Sequence, residues 1–237
     1  MKSYVTCKEI CNLNRLLTTV ENLRDQEAKF STDNSGFAVY QSPAKEKQFT
    51  DFIIFDYTIR WREKTSPHAP VQQVHADQTP YAAELRVCRR LPLNKADDLS
   101  KGRALFKISR LTLAIIDWRT TAPSDLVKID LLYPKGAKAG EERAQAPDSE
   151  HLTDGYEVRG ETYPIAPNEK HRLYYQTDTT PEEAMFIKCF DSRIESMTGT
   201  MGIAHGAGHT AFCDPQTSKD APARQNIEVR CLVFYES

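Results

Sequence analysis

The sequence predicts a mainly β protein with flanking helices, α+β in class, whose core is a β-sandwich or jelly roll. Three observations carry that expectation. Helical periodicity comes first in the chain, β-branched and aromatic runs dominate afterwards, and Gly, Pro and polar turns separate those runs. A length of 237 residues suits one barrel or sandwich, so a single domain over 1–237 is expected. Within it, 1–48 reads as a helical segment packed on the core. Residues 49–237 read as the core itself, with a helical insert at 79–101.

The opening residues place Ile10, Leu13, Leu16, Leu17, Val20 and Leu23 at helical spacing, which predicts an amphipathic helix. Phe49 to Trp61 is β-branched and aromatic and predicts a strand, and Val71 to Asp77 predicts another. Thr79 offers a capping hydroxyl ahead of Pro80, so a helix should start there and run to about Leu91. Its buried face would carry Ala83, Val87 and Leu91, with Arg86, Arg89 and Arg90 mostly toward solvent. Pro92 ends it, and Asn94 can cap a second short helix before Gly102.

Ala104 to Trp118 is the longest β-like run, followed by a strand near Leu126 to Tyr133. Residues 134–155 are polar and aperiodic and predict a long loop of the kind that serves as a lid. Strands are expected at Tyr156–Tyr163, Arg172–Gln176, Met185–Phe190 and Asn226–Tyr235. Thr180 to Glu183 has the pattern of a capping box for one helical turn.

The formal net charge of −2 argues against a general polyanion binder, so no nucleic-acid partner is expected. No uncharged apolar run approaches membrane-spanning length, and the N-terminus lacks the apolar centre of a secretion signal. The six cysteines, at 7, 11, 88, 189, 213 and 231, form no tight framework and read as reduced thiols. A cytoplasmic protein, monomer or homodimer, is the expectation.

His75-Ala76-Asp77 is an HxD at the end of a strand. Alternation puts His75 and Asp77 on one face, supplying an imidazole and a carboxylate together. A second histidine would complete the two-His, one-carboxylate facial triad used for non-haem Fe(II). His68, His151, His171, His205 and His209 are the choices. His209, just ahead of the closing strand, suits a ligand from a neighbouring strand, and His205 is the fallback. Arg224, Asn226, Glu228 and Arg230 share one face of that closing strand, opposite Ile227 and Val229. A guanidinium there suits an anionic co-substrate, although a surface Arg230–Glu228 pair is the plainer reading.

Three stretches, VHADQTP, LYYQTDTTPEEAMFIKCFDS and GHTAFCDP with APARQNIEVRCLVF, resemble the asaB hydroxylase/desaturase group, which includes the CmcJ-like proteins. That group resembles the wider Fe(II)/2-oxoglutarate-dependent oxygenases. The resemblance runs from about Val71 to the C-terminus and implies a cupin-like double-stranded β-helix core. It also implies His75, Asp77 and His209 as iron ligands and catalytic centre, with Fe(II) and 2-oxoglutarate as cofactors. Arg224 matches the arginine that binds the distal carboxylate of 2-oxoglutarate, and Asn226 replaces the family's serine. Arg230 could share that role. Where the family reads NxWRP this chain has Ile116-Asp-Trp118-Arg119-Thr, lacking the asparagine and proline. His171, Lys188 and Tyr174 also match family positions. The implied activity is oxidation of a secondary-metabolite type of small molecule by dioxygen, giving hydroxylation, desaturation or ring closure. Other readings are a ferrous oxidase without 2-oxoglutarate, a non-catalytic jelly roll binding a small acid, and a zinc hydrolase.

Overall fold

A computed structural model describes residues 2–5, 16–41, 51–61, 73–92, 104–110, 113–136, 154–192, 202–212, 214, 216–218, 220 and 225–234. Among these the strands are β1 (Lys2–Val5), β2 (Leu16–Asn22), β3 (Phe37–Gln41), β4 (Asp51–Trp61), β5 (His75–Ala76), β6 (Ala104–Arg110) and β7 (Ala114–Ile116). They continue with β8 (Ile129–Pro134), β9 (Tyr156–Pro164), β10 (Leu173–Tyr175), β11 (Glu183–Ile187), β12 (His209–Thr210) and β13 (Gln225–Phe234). One α-helix, α1 (Pro80–Arg90), follows β5. The strands form an eight-stranded sheet, β1-β2-β10-β7-β12-β5-β9-β8, and a five-stranded sheet, β3-β11-β6-β13-β4. This is the jelly-roll core that the sequence predicts.

The sheets meet through one apolar cluster. Ile115 and Tyr174 come from the larger sheet, and Phe37, Met185 and Ile187 from the smaller, with Phe30 and Leu23 between them. Alternation along β7 and β10 sends Ala114, Ile116, Leu173 and Tyr175 to the other face, where they pack with Val20, Val74, Ile165 and Phe212. The centre of the larger sheet is therefore buried on both sides, so these short strands are apolar throughout. α1 packs Ala83, Val87 and Leu91 against Leu232 and Phe234 of β13, together with Ile53 and Phe55 of β4.

The N-terminal helix expected within 1–48 is not formed in the described residues. Those stretches hold β1, β2 and β3, and a single 3-10 turn at Glu27–Lys29. The β-branched run Thr18-Thr19-Val20 suits a strand, and parallel pairing with β10 sets Val20 opposite Leu173. Val20 and Leu23, which read as one helical face, end in different clusters on opposite sides of the sheet. Residues 6–15, with Ile10 and Leu13, lie outside the described residues.

The run Ala104–Trp118 also divides. β6 pairs with β11 and β13 in the smaller sheet, whereas β7 pairs with β10 and β12 in the larger one. A continuous apolar pattern cannot reveal such a change of sheet, because both segments satisfy the same period. Thr180–Glu183 is a turn rather than a helical turn: the Glu183 carboxylate accepts from the Thr180 N–H at 2.8 Å, but Glu183 itself opens β11. The second short helix, the lid loop's centre at 137–153 and the segment 193–201 lie outside the described residues.

Candidate metal centre

Cross-strand register assembles the centre. Tyr174 pairs with Ile115, Ile115 with His209, and His209 with His75. Residues directly opposite one another project to the same face. Ile115 and Tyr174 belong to the cluster between the sheets, so both histidines look into that same space. Their ring centroids are 4.7 Å apart. Asp77, two residues beyond His75, returns to that face. Its Oδ1 lies 3.2 Å from His75 Nε2 and 3.7 Å from His209 Nε2.

The donor atoms of His75, Asp77 and His209 all lie within 4.8 Å of one another. Each imidazole is held the same way. His75 Nδ1 is 2.8 Å from the Gln73 carbonyl, and His209 Nδ1 is 3.1 Å from the Ala207 carbonyl. A carbonyl only accepts, so each Nδ1 donates, and each Nε2 is the ring nitrogen turned to the Asp77 side. Two imidazoles and a carboxylate with converging donors fit a divalent first-row ion such as ferrous iron. His209 is nearly inaccessible, whereas the His75 and Asp77 side chains keep 18% and 19% exposure. The group is thus open from their side.

The smaller sheet supplies the opposite wall. The Cys189 thiol, just past β11, donates to Asp77 Oδ2 at 3.4 Å. Cys189 and Gln78 also line a cleft with Trp118, Tyr163, Phe190 and His205. Gln78 Oε1 is buried there without a hydrogen-bond partner among the described residues.

Other predicted residues fall into place or drop out. His205 does not join the cluster; its ring stacks on Trp118 at 4.9 Å, and burial pushes its pKa below the usual imidazole value. Arg119 makes a forked pair with Asp117 at 2.6–3.1 Å and lies over Phe30. His171 is paired with Asp125 at 3.0 Å, Lys188 with Asp191 at 2.6 Å, and Tyr174 is core. Arg230 and Glu228 do share a face of β13, but their pairing at 2.6 Å is internal, since Glu228 is 4% exposed. Asp56 takes the other side of Arg230 at 2.5 Å. Arg224, His68 and His151 lie outside the described residues, and for Asn226 the description reaches only the backbone, in register with Arg60.

Sequence reasoning missed Cys189, Gln78 and Arg86. The first two sit beside motifs that had been singled out, yet only folding brings Cys189 to Asp77. Arg86 was expected in solvent. Instead it is partly buried over the Phe55 ring, its centre 5.4 Å from the ring centroid.

Residues 50–234 match the family described as an oxidoreductase/YMDC permease-like domain. The chain belongs to that family. The chain is similar to the hydroxylase/desaturase efuI of Hormonema carpetanum. Identity is 27%, over 92% of this chain and 83% of the relative. The hydroxylase/desaturase asaB of Aspergillus flavus is 33% identical over 56% of this chain and 53% of its own length. The chain thus spans most of one relative and about half of the other. Among solved structures, the iron and alpha-ketoglutarate-dependent endoperoxidase NvfI superposes with a TM-score of 0.74 at 21% identity, covering 95% of this chain and 86% of that one. That likeness is one of fold. The resemblance to the asaB hydroxylase/desaturase group holds.

Proposed function

We propose that the chain is a non-haem Fe(II)- and 2-oxoglutarate-dependent oxygenase of the hydroxylase/desaturase type, acting on a small secondary-metabolite substrate. The observation that carries this is the convergence of His75, Asp77 and His209, each imidazole locked with Nε2 toward the carboxylate. NvfI, of the same fold, is named as dependent on iron and alpha-ketoglutarate, and efuI and asaB are named as hydroxylase/desaturases.

His75, Asp77 and His209 hold the metal, and the carbonyls of Gln73 and Ala207 turn both imidazoles with Nε2 toward the carboxylate. When bound, ferrous iron with 2-oxoglutarate and dioxygen supplies the oxidation of a substrate C–H bond, with succinate and CO₂ released. Trp118, Phe190 and Tyr163 give the cleft apolar walls that exclude water from the reacting bond, and Gln78 offers an amide to orient a substrate polar group. Arg224 is assigned the distal carboxylate of 2-oxoglutarate by its place in the closing motif, with Asn226 beside it. Whether the product is hydroxylated, desaturated or cyclised follows from where the cleft sets the C–H bond. A cytoplasmic monomer or homodimer, folded as one domain, completes the reading.

Anaerobic Fe(II) titration, with and without 2-oxoglutarate, tests it. The expected outcome is one ferrous ion per chain and a metal-to-ligand charge-transfer band that appears only when 2-oxoglutarate is added. His75→Ala should weaken metal binding by about 100-fold or more. Bound iron with no such band removes 2-oxoglutarate and leaves a ferrous oxidase of another kind.

A further inference from the structure

Ala83 and Val87 of α1 pack in one cluster with Cys189 and Phe190, and Cys189 donates to Asp77, so this stretch of the helix borders the metal centre through Cys189. Arg86, Arg89 and Arg90 all sit on that stretch, and they are not equivalent. Arg89 and Arg90 are exposed. Arg86 is partly buried, and its Nε is sealed from solvent with no hydrogen-bond partner among the described residues. The guanidinium rests on Phe55, and no carboxylate among the described residues pairs with it.

Arg230, close by on β13, is the opposite case: Asp56 and Glu228 hold it at 2.5 and 2.6 Å. Its charge is already met by the protein. Burial, Arg230 and Arg90 lower the proton affinity of Arg86, and Asp77 and Cys189 oppose them. A guanidinium cannot shed its proton at neutral pH, so the unpaired charge persists. A partly buried guanidinium with a sealed Nε and no carboxylate partner is costly to keep, and such groups concentrate where a ligand completes them.

We propose that Arg86 is an anion-binding residue of this site, receiving a carboxylate from a ligand seated beside His75, Asp77 and His209. The proposal rests on the oxygenase reading for the metal and extends it to a residue outside the closing strand. Its planar fork suits a carboxylate, and the contact with Phe55 restricts where that fork can go before the ligand arrives. Two sources share this chemistry: 2-oxoglutarate itself, or an acidic substrate in the adjoining cleft.

Calorimetric titration of the zinc-loaded full chain separates them, zinc serving as a redox-silent occupant. One arm adds 2-oxoglutarate; the other adds benzoate, with and without saturating 2-oxoglutarate. Arg86→Gln should weaken one of these carboxylates by about tenfold or more, while zinc binding stays as in the wild type. Loss in the first arm identifies the co-substrate, and loss in the second an acidic substrate. Arg86→Lys, which keeps the charge, should recover part of the affinity. Arg90→Gln, which alters an exposed arginine over the same Phe55 ring at 5.6 Å, should change neither. The apo Arg86→Gln protein should melt no lower than the wild type, because an unpaired charge has been removed. The proposal is overturned if both carboxylates bind Arg86→Gln as they bind the wild type, if affinity falls only together with zinc affinity, or if the wild type takes neither. A wild type that binds benzoate but not 2-oxoglutarate defeats the oxygenase reading alone, and the benzoate arm still decides Arg86.

Discussion

Lys188 shows how much a single buried charge organises around the centre. Its Nζ lies 2.6 Å from Asp191 and 3.2 Å from Asp33, and the Lys188 and Asp191 side chains are both 0% exposed. Its backbone reaches further: the Lys188 N–H donates to the Gly36 carbonyl, and its own carbonyl accepts from Ala207, two residues before His209. The pair thus holds β11, the turn before β3 and the histidine loop together. Lys188→Met would leave Asp191 buried without its cation. Urea unfolding should show a loss of about 3–5 kcal/mol, and replacing Asp191 by Leu in the same protein should recover much of it. A loss under about 1 kcal/mol for the single variant would mean the pair is no organiser. The lysine was legible as a family position, but its role was not, because neither carboxylate announces itself by spacing alone.

Glu183, at the head of β11, ties elements together. It accepts from Arg24 at 2.5 Å, from Gln41 of β3 at 2.8 Å and from the Thr180 N–H at 2.8 Å. The Arg24 hydrogen bond, more than burial opposes it, lowers the Glu183 carboxyl from 4.5 to about 2. A depressed folded-state value means the stabilisation is complete above the unfolded value, near 4.5, and fades as pH falls toward 2. Stability should therefore drop across that window by an amount on the order of 1–3 kcal/mol from this group. Glu183→Gln should be less stable than the wild type at pH 7, with the difference shrinking below pH 4. Parallel curves for the two proteins from pH 7 to 2 would remove the group from the acid response.

At the same scale, α1 was the most readable element. Thr79 accepts from the Ala82 N–H at 3.2 Å, and Ala83, Val87 and Leu91 are buried as the periodicity requires. The phase of Arg86 was less readable. A helix face 100° wide has edges, and what packs beside an edge residue decides whether it meets solvent. Here Phe55 of β4 does.

Across the whole molecule, the loop 202–208 threads between the two sheets before delivering His209. A Cβ built on Gly208 would lie 2.2 Å from Ile165 Cδ1, and one on Gly206 would lie 2.9 Å from the Cys189 carbonyl oxygen. The Gly208 carbonyl also accepts from the Ile116 N–H at 2.7 Å, so the chain has little room to move away. Gly208→Ala should push His209 off its register opposite His75. Ferrous affinity should fall by about tenfold or more while the far-UV spectrum stays native. Unchanged affinity would show that Ile165 yields instead.

By itself the sequence determined what depends on neighbours in the chain: the β-rich class, the cap at Thr79 and the shared face of His75 and Asp77. The resemblance added His209. Tertiary structure alone decided that the N-terminal apolar residues form strands, that the run from Ala104 crosses between sheets, and that His75 and His209 lie opposite each other. It also decided that Arg230 is spent on Asp56 and Glu228 while Arg86, resting over Phe55, pairs with no carboxylate among the described residues. The physical reason is the same each time. Period and capping are local, set by backbone geometry over a few residues, whereas register, sheet membership and the partner of a buried charge are settled by contacts between distant segments competing for one core.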